Sequence, residues 1–130
     1  MAELNASGFY PHQAAIDAYG NGGFRFAGMS HKGSLLCLPS GMHAWPVTRA
    51  DMLTLESLEP VFAAADSIDV LLIGLGTEIS FLDSNIRAAL RERRIIAEAV
   101  ATGGAVRSYN ILLGEQRAVG AALIAVERAR

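Results

Sequence analysis

The first half of the chain alternates between short apolar segments and turn residues, a pattern typical of β-hairpins. Residues 16–19 and 24–29 flank the sequence Gly-Asn-Gly-Gly at residues 20–23. Because Asn-Gly tolerates the positive φ angles of a tight turn, we predict a hairpin here. Ser-His-Lys-Gly at residues 30–33 predicts a second turn before the next strand.

The segment after this turn has no polar face. Residues 34–38 are apolar at almost every position, which predicts a strand in the centre of a sheet. Residues 42–47 form a further predicted strand, in which Pro46 disturbs the pattern.

The second half of the chain alternates helical and strand-like periods. Apolar residues at helical spacing follow Thr54, and Pro60 within them predicts a separate or 3₁₀ first turn. Apolar runs at residues 70–75 and 118–126 are typical of strands that are covered on both faces. Between these runs we predict a helix capped by Asp83 or Ser84, a strand at residues 95–100, and a helix capped by Thr102 that ends near Gly114.

This order of elements predicts an α/β fold. Hairpins contribute antiparallel strands, whereas helix–strand units favour parallel pairing through crossover connections. A mixed β-sheet with helices packed on it satisfies both halves of the chain. The length of 130 residues and the hydrophobic content of 52% indicate one domain with its own core. We expect a flexible N-terminal arm at residues 1–14 and a single domain at residues 15–130.

Net charge, cysteine content and the lengths of the apolar runs indicate which partners and which compartment to expect. The net charge of −2 provides no strong field for nucleic acid, so we expect no nucleic-acid partner. Cys37 is the single cysteine, which excludes an intramolecular disulfide and suits a reducing compartment. We find no secretory signal, and the apolar runs are shorter than the about 20 residues that span a bilayer. We expect a soluble cytoplasmic protein, and peripheral contact with a membrane complex stays compatible with the sequence.

A glycine-rich loop follows the apolar run at residues 70–75. Gly74 and Gly76 surround Leu75 and precede Glu78, and such loops can hold an anion on backbone N–H groups. The third glycine of a dinucleotide fingerprint and the Gly-Lys-Ser/Thr of a P-loop are both missing. Two interpretations stay open: an anion or ligand site, or glycines that allow close packing at the end of a strand.

A polar cluster lies in the apolar segment that starts at Thr102. Arg107, Tyr109 and Asn110 stand almost in a row there. They can line a pocket together with Thr102, since arginine binds carboxylates and phosphates and the others offer donors and acceptors. Alternatively they satisfy backbone groups at a helix–strand junction. Trp45 either contributes an exposed contact point or covers the edge of a sheet.

The sequence supplies no recognisable catalytic or metal-binding motif. The three histidines are 19 and 12 residues apart, Cys37 has no histidine or cysteine nearby, and we expect neither a metal nor a cofactor. No nucleophile elbow is present. The residues therefore favour a protein that is not an enzyme.

Several short motifs, in their order and spacing, resemble the Mth938-like domain family, a domain of unknown function. The resemblance extends from Ile16 to about Ile124. The chain differs from the family pattern at Leu75, Ser108 and Gln116. The matching motifs are Ile-Asp-Ala-Tyr-Gly at residues 16–20, Gly-Ser at 33–34, Trp45, Val-Leu-Leu-Ile-Gly at 70–74, and Ala-Val-Arg-Ser-Tyr-Asn at 105–110.

The resemblance implies a three-layer α/β fold and kinship with a mitochondrial assembly factor for respiratory complex I. It carries no established enzymatic activity. Our first hypothesis is therefore a non-catalytic interaction protein that assists assembly of complex I or another membrane-associated complex, with complex I subunits or assembly factors as partners. Its surface would be built around Arg107, Tyr109, Asn110 and Trp45. The alternative is a small-molecule or anion-binding protein, a cryptic enzyme, with a pocket between the Gly74 loop and residues 102–110.

Overall fold

The computed structural model describes residues 8–77 and 80–129. Its strands are β1 (Phe9–Tyr10), β2 (Ala18–Gly20), β3 (Gly23–Phe26), β4 (Met29–Lys32), β5 (Ser34–Leu38), β6 (Gly41–Trp45), β7 (Val70–Gly74), β8 (Ile96–Val100) and β9 (Val119–Leu123). Its α-helices are α1 (Glu59–Ala63), α2 (Ser84–Glu92) and α3 (Thr102–Gly114), and short 3₁₀ helices lie at Ala50–Met52, Glu56–Leu58 and Ala65–Ser67.

The strands form two sheets. A six-stranded mixed sheet has the order β1-β6-β5-β9-β7-β8, and a three-stranded antiparallel sheet has the order β2-β3-β4. β7 pairs in parallel with both β8 and β9, whereas β5 pairs antiparallel with β6 and β9. The predicted fold class, a mixed sheet with N-terminal hairpins and packed helices, is confirmed.

The main sheet is the middle of three layers, with a separate apolar core on each face. Leu71 and Ile73 of β7 point into the core formed with α1 and α2. Leu72, between them, points into the core formed with α3 and with Phe24 and Phe26 of the small sheet. The alternation follows from the two-residue period of a strand, and burial on both sides explains why these strands lack a polar face.

The first hairpin turn lies where the sequence predicts it, and the second does not. Asn21 and Gly22 have φ angles of 52° and 76°, as a tight two-residue turn requires. The predicted turn at residues 30–33 is wrong, because most of this segment belongs to β4. The chain turns instead at Ala27 and Gly28, with φ angles of 51° and 74°. Alanine rarely adopts this conformation, so it gave no turn signal.

The starts of the helices follow the sequence at α2 but not at α1, whose N-cap is Leu58 instead of Thr54, nor at α3. The Asp83 side chain accepts a hydrogen bond of 2.7 Å from the Asn85 N–H and caps α2 as predicted. A 3₁₀ turn precedes α1, consistent with the effect expected of Pro60. The predicted cap of α3 is corrected: Ala101 is the N-cap, without a side-chain cap bond, and Thr102 is the first helical residue.

Part of the predicted N-terminal arm is ordered into the sheet. Residues 1–7 lie outside the described part of the chain. Phe9 and Tyr10 pair antiparallel with His43 and Met42 of β6. The division into an arm at residues 1–14 and a domain at residues 15–130 stays a prediction.

Candidate functional site

Thr102 joins the start of α3 to the carboxyl ends of two neighbouring strands. It is fully buried, and its Oγ1 donates to the Ile124 carbonyl at 2.7 Å and accepts from the Gly76 N–H at 3.0 Å. The Thr102 N–H donates to the Gly76 carbonyl at 2.9 Å. All hydrogen-bonding groups of this side chain therefore serve the fold.

The two glycines of the loop have different reasons to be glycine. A Cβ on Gly74 would lie 2.9 Å from the Thr102 Cα, so close packing excludes a side chain. Gly76 has open space around it but a φ of +97°, which only glycine adopts without strain. Both observations agree with the packing interpretation of the loop. Glu78, the end of the predicted anion loop, lies outside the described residues.

Asn110 holds the N-terminal segment against α3. Its Oδ1 accepts from the Ile16 N–H at 2.8 Å, and its Nδ2 donates to the Ile16 carbonyl at 2.8 Å. The side-chain amide thus replaces a neighbouring strand for one residue of backbone. Ile16 itself is buried in the core beneath.

Tyr109 is internal rather than part of a surface. The side chain has no exposed area, and its hydroxyl donates to the Ala14 carbonyl at 2.7 Å. Burial raises the pKa of this hydroxyl above its usual range, and the adjacent Cys37 thiol adds to the effect. Burial likewise raises the pKa of Cys37. Both groups therefore stay neutral, and Cys37 behaves as a core thiol.

Arg107 is the exposed member of the polar cluster. It shares a face of α3 with Gly104, three positions before it, and with Ile111, four positions after it. Ile111 leaves 61% of its surface exposed, an unusual value for a large aliphatic side chain. Arg107 Nη2 lies 3.9 Å from the position that a Gly104 Cβ would occupy, so the guanidinium folds back along the helix.

A second exposed isoleucine lies on the neighbouring edge strand. Ile96 of β8 is 67% exposed. It shares a strand face with Val100, which packs into the core beneath α3. A Cβ on Gly104 would lie 3.5 Å from Val100 Cγ2. Gly104 of α3 and Val100 of β8 therefore lie at the same height along the sheet.

Ile96 lies about 13 Å from Val100 along β8, and Ile111 lies about 10 Å from Gly104 in the same direction along α3. The two isoleucines therefore lie at similar heights on adjacent elements, and we call Ile96, Glu98, Arg107 and Ile111 the α3–β8 surface.

Trp45 belongs to the opposite side of the sheet. It is 4% exposed and packs in the core formed with α1 and α2. Its Nε1 donates to the Ser57 carbonyl at 2.7 Å, which fixes the segment before α1. The interaction surface predicted from the sequence is corrected here: Tyr109 and Trp45 are buried on different layers, and Asn110 is engaged with Ile16.

A cavity of about 540 Å³ opens at the carboxyl ends of β7 and β9. The segment after β7 leads to α2, whereas Val126 and Glu127 after β9 accept hydrogen bonds from the β2–β3 turn on the other face. Open α/β sheets bind ligands where adjacent strands diverge in this way. The described lining includes Thr48, Arg49, Gly76, Thr77, Ile124 and Arg128. Residues of α3 do not contribute to this described lining, unlike in the predicted pocket.

Sequence reasoning missed two further polar side chains that join distant segments of the chain, Gln13 and Ser34. Gln13 Nε2 donates to the Val119 carbonyl at 2.7 Å, and Ser34 Oγ accepts from the Ala125 N–H at 2.9 Å. These contacts join residues about ninety or more positions apart, so no local pattern could indicate them. Within residues 8–77 and 80–129, no three His, Cys, Asp or Glu side chains form a potential set of metal ligands.

The fold is that of Mth938-like domains. A Mth938-like domain from Bordetella pertussis superposes with a TM-score of 0.77 at 24% identity, over 90% of this chain and 88% of that chain. Residues 16–124 match the family described as "Protein of unknown function (DUF498/DUF598)". The chain belongs to this family.

Two further relatives are more similar in sequence. A protein from Bartonella henselae, described as an outer membrane protein, has 50% identity and a TM-score of 0.87 over 91% of this chain and 99% of that chain. NADH dehydrogenase (ubiquinone) 1 alpha subcomplex assembly factor 3 of Rattus norvegicus is 31% identical over 115 residues, 88% of this chain. The chain spans 62% of that assembly factor's length. In the part of this chain that is described, every helix is too short or too polar to cross a membrane.

Proposed function

We propose that this protein is a non-catalytic interaction protein that assists the assembly of respiratory complex I or of another membrane-associated complex. The relative named as an assembly factor of NADH dehydrogenase supports the complex I assignment. The partner is a protein, either a subunit of the complex or another assembly factor. We place the protein in the cytoplasm, in peripheral contact with the membrane through its partner.

The observation that carries this proposal is the exposure of Ile96 and Ile111 beside Arg107. Two large aliphatic side chains that are more than half exposed on adjacent elements offer apolar area to a partner. Arg107, one turn before Ile111 on α3, adds a planar donor group, and arginine is enriched at the centre of protein interfaces. Thr102, Tyr109 and Asn110 serve the fold instead.

We expect a partner to bind the face formed by β8 and α3 and not the free edge of β8. β8 pairs with β7 on one side and is the last strand of its sheet. Arg87 Nη1 donates to the Ala97 carbonyl at 3.2 Å, where parallel pairing directs this carbonyl away from β7. The guanidinium blocks addition of another strand at this point. The face formed with α3 is the more accessible part.

The test is affinity capture of the tagged protein from its own organism in mild detergent, followed by mass spectrometry. We expect complex I subunits or assembly factors to be enriched with the wild type and reduced at least fivefold with Arg107→Ala. Arg117→Ala, an exposed arginine after α3, is the matched control and should leave capture unchanged. Equal capture by both variants would contradict the proposed surface.

The cavity at the ends of β7 and β9 favours a second function, the binding of a small anionic molecule. The lining holds Arg49 and Arg128 against one carboxylate, Glu127, and two threonines supply hydroxyl groups. Arg49 also pairs with Asp51 at 3.0 Å, which reduces its free charge. A thermal-shift screen of anionic metabolites tests this function. Stabilisation that Arg128→Gln abolishes would support it, and a screen without any stabilising compound would count against it.

A further inference from the structure

A groove between α1 and α2 lies on the opposite side of the sheet from the α3–β8 surface. Its volume is about 390 Å³. The apolar floor consists of Leu55, Phe62 and Ala89, and the rim carries the carboxylates of Glu56, Glu59 and Glu92. We call this the α1–α2 groove.

Helical spacing produces the groove from both sides. Glu59 and Phe62 are three positions apart on α1, whereas Leu58 and Val61 turn into the core. On α2, Ala89 and Glu92 share the face beside the buried Leu90. Each helix therefore contributes one apolar side chain to the floor of the groove and a carboxylate one turn away from it.

The apolar floor is accessible, and the carboxylates are not paired. Leu55 is 43% exposed, and Phe62 is partly buried against the core. Glu56, Glu59 and Glu92 form no ion pair with any described residue. Arg93 also lines the groove, where its guanidinium lies 5.2 Å from the centre of the Phe62 ring and donates to the Phe62 carbonyl at 3.4 Å. Three carboxylates therefore face one positive charge, and the groove keeps a negative balance.

We propose that the α1–α2 groove binds a basic amphipathic helix of a partner protein. An apolar face with residues at positions i, i+3, i+4 and i+7 fits a hydrophobic groove between helices. Lysine or arginine on the flanks of that helix would meet the acidic rim. Charge complementarity of this kind selects the partner and speeds association.

This site is separate from the proposed assembly surface. Glu92 and Arg107 lie on helices on opposite faces of the main sheet. Loss of binding at one surface is therefore measured with variants that leave the other intact.

The first test is fluorescence anisotropy with a designed 18-residue helix of leucine and lysine, in which the leucines occupy one face. A peptide with glutamate in place of lysine is the charge-reversed probe. We expect the lysine peptide to bind, its Kd to rise with salt, and the glutamate peptide to fail. Binding of both peptides, or of neither, would overturn the proposal.

Variants locate the binding. The triple variant Glu56→Gln, Glu59→Gln, Glu92→Gln should weaken binding of the lysine peptide at least tenfold. The control triple variant Asp17→Asn, Glu115→Gln, Glu127→Gln has the same net charge and exposed substitutions outside both surfaces, and should bind like the wild type. Equal weakening by both triple variants would show general attraction between charges and overturn the groove.

Two further measurements separate the remaining outcomes. Leu55→Gln leaves the charge unchanged and should also weaken binding, since the floor supplies apolar contact. NMR of the wild-type protein should show that the lysine peptide shifts the Ala89 amide. Shifts confined to other regions, or sedimentation showing a homodimer that the groove variants dissociate, would overturn the assignment to a partner helix.

Discussion

The side-chain amide of Asn110 exchanges two hydrogen bonds with the backbone of Ile16, both 2.8 Å long. The two residues are 94 positions apart in the chain. This pairing fixes the entry of the N-terminal segment into the domain and directs Ile16 into the core. Asn110 therefore stabilises the fold, while Arg107, one turn earlier on α3, is exposed.

Asn110→Ala should destabilise the protein by about 2–3 kcal/mol, because two partly buried backbone groups of Ile16 lose their partners. Urea denaturation gives the free energy of unfolding, and hydrogen exchange should show that the Ile16 amide loses protection. Ser108→Ala on the same helix is the control and should stay within about 0.5 kcal/mol of the wild type. Unchanged exchange at Ile16 in Asn110→Ala would contradict this role.

Gly74→Ala should destabilise the protein by about 1–3 kcal/mol, since its Cβ would lie 2.9 Å from the Thr102 Cα in packed backbone. Gly114→Ala is the matched substitution at the end of α3. A Cβ there meets nothing within 4 Å, so stability should be unchanged or rise by up to about 1 kcal/mol. Thermal unfolding of the two variants checks the contrast, and equal effects would contradict the packing at Gly74.

The buried Cys37 thiol should make the protein less stable at alkaline pH. Its pKa is raised in the folded state, so its stabilising contribution is complete below the unfolded pKa of about 8.5 and declines as the pH rises above that value. The expected loss is about 1.4 kcal/mol per pH unit from this group.

Urea denaturation between pH 8 and pH 10 measures the alkaline loss. Cys37→Ala should lower the stability at pH 8 but flatten its decline with pH. An identical pH slope in both proteins would show that the thiol ionises without hindrance in the folded state.

Short sequence motifs were sufficient to predict a hairpin turn and the buried strands. Asn21-Gly22 specified its hairpin because the residue types match the required φ angles. The all-apolar character of β5 and β7 predicted strands covered on both faces, as observed. The turn at Ala27 escaped prediction because alanine carries no signal for a positive φ.

Long-range contacts determine which residues of the polar cluster are buried, and sequence patterns could not predict these contacts. The motif at residues 107–110 predicted that the cluster must find partners, but not which residue would stay exposed. Tyr109 is buried because its ring packs in the core, and the Ala14 carbonyl accepts from its hydroxyl there. Thr102 bonds to the strand ends and does not cap its own helix. Such assignments depend on tertiary neighbours about twenty to a hundred positions away.

The α3–β8 surface makes the most direct prediction about function. A photo-crosslinking amino acid at position 111 should form a covalent adduct with a partner protein in cells, because Ile111 lies in the proposed interface. The same amino acid at position 52 is the control, since Met52 is also exposed but lies before α1, outside the α3–β8 surface. Mass spectrometry identifies the adduct.

The account predicts an adduct with a complex I subunit, an assembly factor or a component of another membrane-associated complex at position 111 and none at position 52. Adducts of equal yield at both positions, or none at position 111, would contradict an interaction through this surface.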